Sequence, residues 1–319
     1  MIRRRVAGSL AGLLTVVTLA ACGATPTAVP PLPEPPADTA PPAAGAPTCD
    51  NATQSYSPGA LPGPDDLPAD STMADIKARG RLIVGVSSDS YLLGSRNPQT
   101  GVIEGFDIDM AHAVAQAIFG PDAKAQLRVI SAADRIPVLE NHEVDLVVRN
   151  MTMTCDRWQD IGFSAEYYRS GQKLMVRKGS GITDLAGLAE HRVCAPRATS
   201  TLNQIRELAP RAEIVPADTH TGCLVLFQQG RVDAITGDDT VLAGLAAQDP
   251  YAVVLPGEAF TDEPYGIGVA ADQVDLARFV NGVLERMRED GRWQASYDRW
   301  LRPTLGEGRQ PTPVYGRNA

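Results

Sequence analysis

The chain has 319 residues, longer than one average domain, and 44% apolar residues are enough for real cores even with aromatic residues at only 5%. A formal net charge of −9 argues against a general nucleic-acid footprint, although an acidic total can conceal arginines gathered in one pocket. In chain order, Arg3, Arg4 and Arg5 form a positive start, and Val6 to Ala21 run apolar with small polar interruptions. That run is shorter than the roughly 20 residues of a spanning helix, so residues 1–21 read as an export signal.

The signal ends in Leu19-Ala20-Ala21-Cys22, which resembles the bacterial lipobox and implies lipidation of Cys22 as the mature N-terminus. Losing three arginines takes the net charge from −9 to near −12. No later segment is long and apolar enough to cross a membrane. We therefore expect an extracytoplasmic protein, anchored by its lipid to the outer face of the cell membrane. Residues 22–70 read as a Pro/Ala-rich tether and N-terminal extension, because Gly23 to Pro47 hold hardly a large apolar residue. Cys49 is placed to pin the later part of this stretch to the body.

Four cysteines remain: Cys49, Cys155, Cys194 and Cys223. In an oxidising compartment an even number suggests disulfides, and three pairings are open. We favour Cys194–Cys223, which leaves Cys49–Cys155. The spacings fit no zinc pattern, and His112, His142, His191 and His220 stand near no cysteine at ligand spacing. No metal or cofactor is expected.

From Met73-Ala74-Asp75-Ile76-Lys77, a short helix, the chain alternates strand and helix, the α/β signature. Expected strands are 82–86, 127–130 and 144–148, with helices over 108–119 (stopped by Gly120-Pro121) and 136–141. A second set follows: strands 192–195, 213–216 and 233–236, and helices 200–208, 219–229 and 239–247. Helices near 274–289 and 293–301 close the chain before a Pro/Gly-rich tail. Gln172 to Arg177 and Tyr265 to Ala270 belong to neither set and bracket the second unit. They suit two linkers of a hinge to an inserted lobe. Spacing alone leaves open that they are edge strands of one large sheet.

Four segments resemble those of the type II periplasmic solute-binding proteins for polar amino acids. Gly105-Phe106-Asp107-Ile108-Asp109 is similar to the GFDxD signature of that family. Asn150 to Arg157 (NMTMTCDR) resembles its [AGN]-x-T-x-T-x-E-R segment, and Phe163 to Tyr168 (FSAEYY) resembles FSxPYY before the hinge. Gln229 to Ile235, followed by Asp238, resembles G-x-x-D-A-x-x-x-D. The resemblance covers roughly residues 73–302 and implies an α/β, two-lobed fold, the second lobe inserted into the first about a two-strand hinge. The implied boundaries are 71–171 plus 267–305 for lobe 1 and 172–266 for lobe 2, with 306–319 a flexible tail.

An amino acid presents a carboxylate and an ammonium, which call for a fixed cation with donors and a fixed anion. The planar fork of arginine grips a carboxylate by two parallel hydrogen bonds. By motif position Arg157 resembles that arginine, with Asn150 and Thr152 beside it, and Asp238, in a loop after its strand, would take the ammonium. The plainer reading of Arg157 is a surface pair with Asp156 or Asp160; Asp239 competes with Asp238 as a helix cap. Second-lobe donors are expected in Pro196-Arg197-Ala198-Thr199-Ser200-Thr201, where Arg197, Ser200 and Thr201 are the candidates. Many relatives carry a glycine there, and this chain does not.

Ser131 to Pro137 (SAADRIP) resembles the TSxNRIP segment of the dicarboxylic amino-acid binders, which places Arg135 near the ligand side chain. Arg149 directly follows a strand and should face the cleft mouth, unless it pairs with Asp145 or Glu143. Arg96 is a third cation, and Tyr91 an aromatic wall. Convergent arginines in an acidic protein point to an anionic side chain, glutamate or aspartate, with glutamine or asparagine as variants. The resemblance implies a monomer that closes over its ligand and docks on a permease driven by an ABC-type ATPase. With no G-x-x-x-x-G-K-[ST] loop, the chain does not hydrolyse ATP itself. An amino-acid-sensing lipoprotein and a carboxylate-dependent dehydratase on the same fold are the rival expectations.

Overall fold

The computed structural model describes residues 48–318; the expected export signal, Cys22 and most of the expected tether lie outside them. Two separate sheets carry the molecule. The first has five strands in the order Gln126–Val129, Ile83–Val86, Leu146–Val147, Gly268–Ala270 and Ile161–Phe163. Its first three strands run parallel and the last two join antiparallel. The second is ordered Glu213–Ala217, Arg192–Pro196, Ala234–Asp238, Tyr168–Arg177 and Ala252–Val254, with Asp262–Tyr265 on the free half of Tyr168–Arg177. The idea of a single large sheet with two edge strands is thereby corrected. Short parallel strands joined by helices keep each sheet covered on both faces, so apolar clusters form on either side of each.

The chain leaves the first sheet after Phe163 and returns into it at Gly268. The two crossings pair with each other antiparallel, Tyr168 opposite Tyr265 and Gly171 opposite Asp262. The ribbon between the sheets is therefore earlier than expected. Gln172–Arg177 lies inside the second sheet, and Gly268–Ala270 inside the first.

Local chemistry explains the element ends. The Ser71 hydroxyl accepts from the Ala74 N–H at the start of helix Thr72–Arg79, and Gly80 ends it at φ 80°. Helix Phe106–Phe119 follows Gly105 at φ 144°, where a Cβ would lie 2.2 Å from the Leu93 carbonyl oxygen; only glycine fits. Asp238 is the last residue of its strand, not a loop residue, and Asp239 opens the next helix. The loop at Ala198 takes φ 56°, the left-handed form, without the glycine that relatives use.

Both favoured disulfides are present, Cys49–Cys155 and Cys194–Cys223. The N-terminal extension and the tail depart from expectation. Gln54–Ser55 pairs in parallel with Val314–Tyr315, and Arg317 lies 3.6 Å over the Trp158 ring while its Nε donates to the Gln54 carbonyl. Ser55 donates to the Phe163 carbonyl, and Asn281 donates to the Tyr56 carbonyl. The tail expected to be flexible is thus docked, because it carries an aromatic and a cation that find partners on the first lobe.

Candidate functional site

The geometry gathers most of the expected residues between the two sheets. Arg135, Arg149 and Arg157 are 3%, 7% and 8% exposed, and Asn150, Thr152, Thr201 and Asp238 are buried with them. Arg157 lies on the one-turn helix Arg157–Asp160, and its Nη1 donates to the Thr152 carbonyl at 2.6 Å. Arg135 Nε donates to the Ala132 carbonyl and its Nη2 to the Ala198 carbonyl, each at 2.9 Å; the second bond spans the two lobes. Arg149 Nε donates to the Ile130 carbonyl at 3.1 Å.

Each of these bonds goes to a neutral carbonyl. Among the described residues none of the three guanidinium groups forms an ion pair. The carboxylates weighed as partners for Arg149 are engaged elsewhere, Asp145 by Arg79 and Glu143 by Arg128. Asp156 and Asp160 form no pair with Arg157 either. Burial lowers all three guanidinium groups from their ordinary range; at Arg135 the neighbouring charges of Arg157 and Arg149 lower it further. A cluster of cations shut away from water is costly unless an anion joins it.

The opposing carboxyl is that of Asp238, at the end of the central strand of the second sheet. Tyr265 donates its hydroxyl to Asp238 Oδ2 at 2.6 Å, and burial, reinforced by Glu263, raises the carboxyl from its ordinary value. Asn150 sits at φ 36°, an uncommon region for a residue with a side chain. Its backbone N–H donates to Asp107 Oδ2 at 2.9 Å, and its Oδ1 is buried without a partner. Thr152 Oγ1 and Ser200 Oγ meet across the cleft at 3.1 Å.

Other expected residues are not brought in. Arg96 is exposed on a three-stranded hairpin and donates to the Gly101 carbonyl, because its strand pairing turns it outward. Arg197 faces Asp218 at 3.8 Å on the surface, drawn there by the charge of that aspartate. Tyr91 is 46% exposed and makes no buried wall; it is the Tyr91 backbone that meets the second lobe, at Gly244. Thr201 is buried, but its hydroxyl is spent on Thr199, whose own Oγ1 accepts from the Leu202 N–H and is the true cap of helix Ser200–Leu208.

Three residues were missed as site candidates. Asp107 joins two parts of the site, accepting from Tyr167 at 2.8 Å and from Asn150; burial pushes its carboxyl up to about 6. It stood in a quoted motif, but nothing in the motif gave it a job. His220 has a buried, unpartnered Nε2 that would be only 2.5 Å from a Cβ at Gly237; burial and the charge of Arg149 push it down to about 3. In the sequence it reads as a neighbour of the Thr219 cap. Glu263 lies in a polar run that reads as a loop. Among the described residues no group of His, Cys, Asp and Glu is arranged to hold a metal ion.

A site of buried, fixed charges between two lobes suits a small charged molecule. The family model for bacterial extracellular solute-binding proteins, family 3, matches residues 82–303. The chain belongs to that family. The ABC transporter glutamine-binding protein GlnH of Bacillus subtilis is 38% identical over 237 residues, 74% of this chain and 86% of its own. The glutamate-binding protein GluB of Corynebacterium efficiens is 30% identical over 257 residues, 77% of this chain and 85% of its own. In three dimensions the chain is similar to the solute receptor for L-cysteine of Neisseria gonorrhoeae, with TM-score 0.69 and 27% identity over 74% of this chain and 96% of that one. This solute-binding protein therefore has the expected two-lobed α/β fold, and its function is binding rather than catalysis.

Proposed function

We propose that this solute-binding protein captures an amino acid in the interlobe cleft and delivers it to an ABC-type importer, as a monomer held to the membrane through Cys22. The observation that carries the reading is the trio of buried guanidinium groups without ion pairs, two of which, Arg135 and Arg157, feel the charge of Asp238. Arg157 takes the α-carboxylate, aided by the backbone N–H groups of Thr152 and Ser200, whose hydroxyls are engaged by Glu263; Asp238 takes the ammonium. Arg135 and Arg149 are left for the side chain, which favours glutamate or aspartate over glutamine or asparagine. The glutamine- and glutamate-binding relatives support an amino acid of this size and leave the amide open. The lobes divide at residues 71–171 plus 267–305 and 172–266, and the paired crossing strands are the hinge.

Calorimetry with a panel of amino acids is the direct test. Glutamate or aspartate should bind most tightly, and binding of glutamine or a cationic amino acid without either of them refutes the dicarboxylate assignment. Arg157→Ala should cost about 3–5 kcal/mol, because it leaves the carboxylate of the ligand buried and unpaired. A loss under about 1 kcal/mol, the scale of an exposed pair, removes Arg157 from the site.

A further inference from the structure

Thr152 and Ser200 have roles in the proposed site, but the carboxylate between them has none. Glu263 lies on the returning hinge strand, Asp262–Tyr265, and is 0% exposed. Its Oε2 accepts from Thr152 Oγ1 at 2.5 Å and from Ser200 Oγ at 2.7 Å. Its Oε1 accepts from Thr261 Oγ1 at 3.1 Å, just before its own strand. Thr152 stands on the first-lobe segment between strands Leu146–Val147 and Ile161–Phe163, bridged to Tyr265, and Ser200 opens the first turn of a second-lobe helix. One oxygen thus gathers a hydroxyl from each lobe, at the strand about which the lobes turn. Among the carboxylates acting on Arg157, Glu263 acts most strongly.

We propose that Glu263 is a closure residue, a positioning group whose carboxylate draws Thr152 and Ser200 together and favours the shut cleft before any ligand arrives. A buried carboxylate needs donors, and in the open form the Ser200 hydroxyl is carried away with the second lobe. That bond exists only in the closed form, so it shifts the equilibrium toward closure by its own free energy. The opposite role, in which the carboxylate of the ligand evicts Glu263 from the two hydroxyls, differs in sign: removing a competitor tightens binding, and removing a closure residue weakens it. The anchor at Thr261 and the pairing of Glu263 with Ser170 hold the carboxylate from the hinge side and favour the first role.

The inference leans on the amino-acid reading only for the choice of ligand. Glu263→Ala, Glu263→Gln and Ser200→Ala would be compared with the wild type by small-angle scattering, ligand-free and at saturation, and by calorimetry with glutamate and glutamine. Glu263→Ala should expand the ligand-free protein, return to the wild-type radius at saturation, and lose about tenfold in affinity for both amino acids alike, the scale of one charge-assisted hydrogen bond. Ser200→Ala should reproduce the expansion and add nothing to Glu263→Ala, since both remove the same contact. Glu263→Gln keeps an acceptor and the fold, and should fall between. An unchanged ligand-free radius in the Ala and Gln variants, or tighter binding in either, overturns the proposal. If no amino acid binds the wild type, the proposed function fails while the ligand-free scattering still decides the role of Glu263.

Discussion

Asp107 and His220 show how single buried groups set the response to acid. The Asp107 carboxyl is raised from 3.8 to about 6, so the folded protein holds its proton where the unfolded chain has lost it. Its contribution to stability is present below pH ~4 and is lost as pH rises through ~6. His220 is lowered from 6.5 to about 3; its contribution is present above pH ~6.5 and is lost as pH falls toward ~3. The slopes oppose between pH ~4 and ~6, each pKa unit representing about 1.4 kcal/mol at most. The larger of the two shifts belongs to His220, although the residue is only half-buried, which trims its share. Asp238, raised to about 8, gains stability on acidification as Asp107 does, so the two groups are read as differences from the wild type. Relative to wild type, Asp107→Asn should lose stability as pH falls from ~6 to ~4 and His220→Gln should gain it, as read by urea unfolding at several pH values; parallel curves for all three proteins would contradict both assignments.

At the scale of elements, most of the fold was legible because its signals are local. Helix Ser200–Leu208 and helix Val274–Glu289 have the expected bounds, since apolar spacing and end signals agree there. The ends of strands were less legible: whether Asp238 closes a strand or starts a loop depends on pairing with Gln172, 66 residues away. The docked tail was not legible at all, because Val314 and Tyr315 have their partners near residue 54. This N- and C-terminal strap makes a prediction about the disulfides. Cys49–Cys155 closes a separation of 106 residues and Cys194–Cys223 one of 29. Loop-closure entropy then makes the first worth about 4–5 kcal/mol and the second about 3–4 kcal/mol. Paired Cys→Ser variants compared by denaturant unfolding should follow that order. Loss of the first should also release Trp158, whose Nε1 donates to the Ala52 carbonyl, and change its fluorescence.

At the scale of the whole molecule, closure needs both attraction and room. Gly244, on the second-lobe helix Asp239–Ala246, packs against the backbone of Tyr91, and an added Cβ would lie 2.6 Å from the Tyr91 carbonyl oxygen. Backbone cannot give way as a flexible side chain does. Gly244→Ala should weaken ligand binding by about 1–3 kcal/mol, the cost of overpacking a close contact. The ligand-free protein should open, so its melting temperature should fall only by the small preference for the closed form that Glu263 supplies. A melting temperature that falls with affinity unchanged would place the effect in folding instead.

Periodicity, a property of neighbours along the chain, determined the α/β alternation; the resemblance of short segments to a family pointed to Arg157 and Arg135, and the place after a strand pointed to Arg149. Tertiary structure alone decided that Arg96 and Arg197 face outward, and that Asp107, His220 and Glu263 join the site. The reason is that a charge acts through space: its role depends on which groups share its burial, and hydrogen bonds linking residues 152, 200 and 263 leave no local pattern to read.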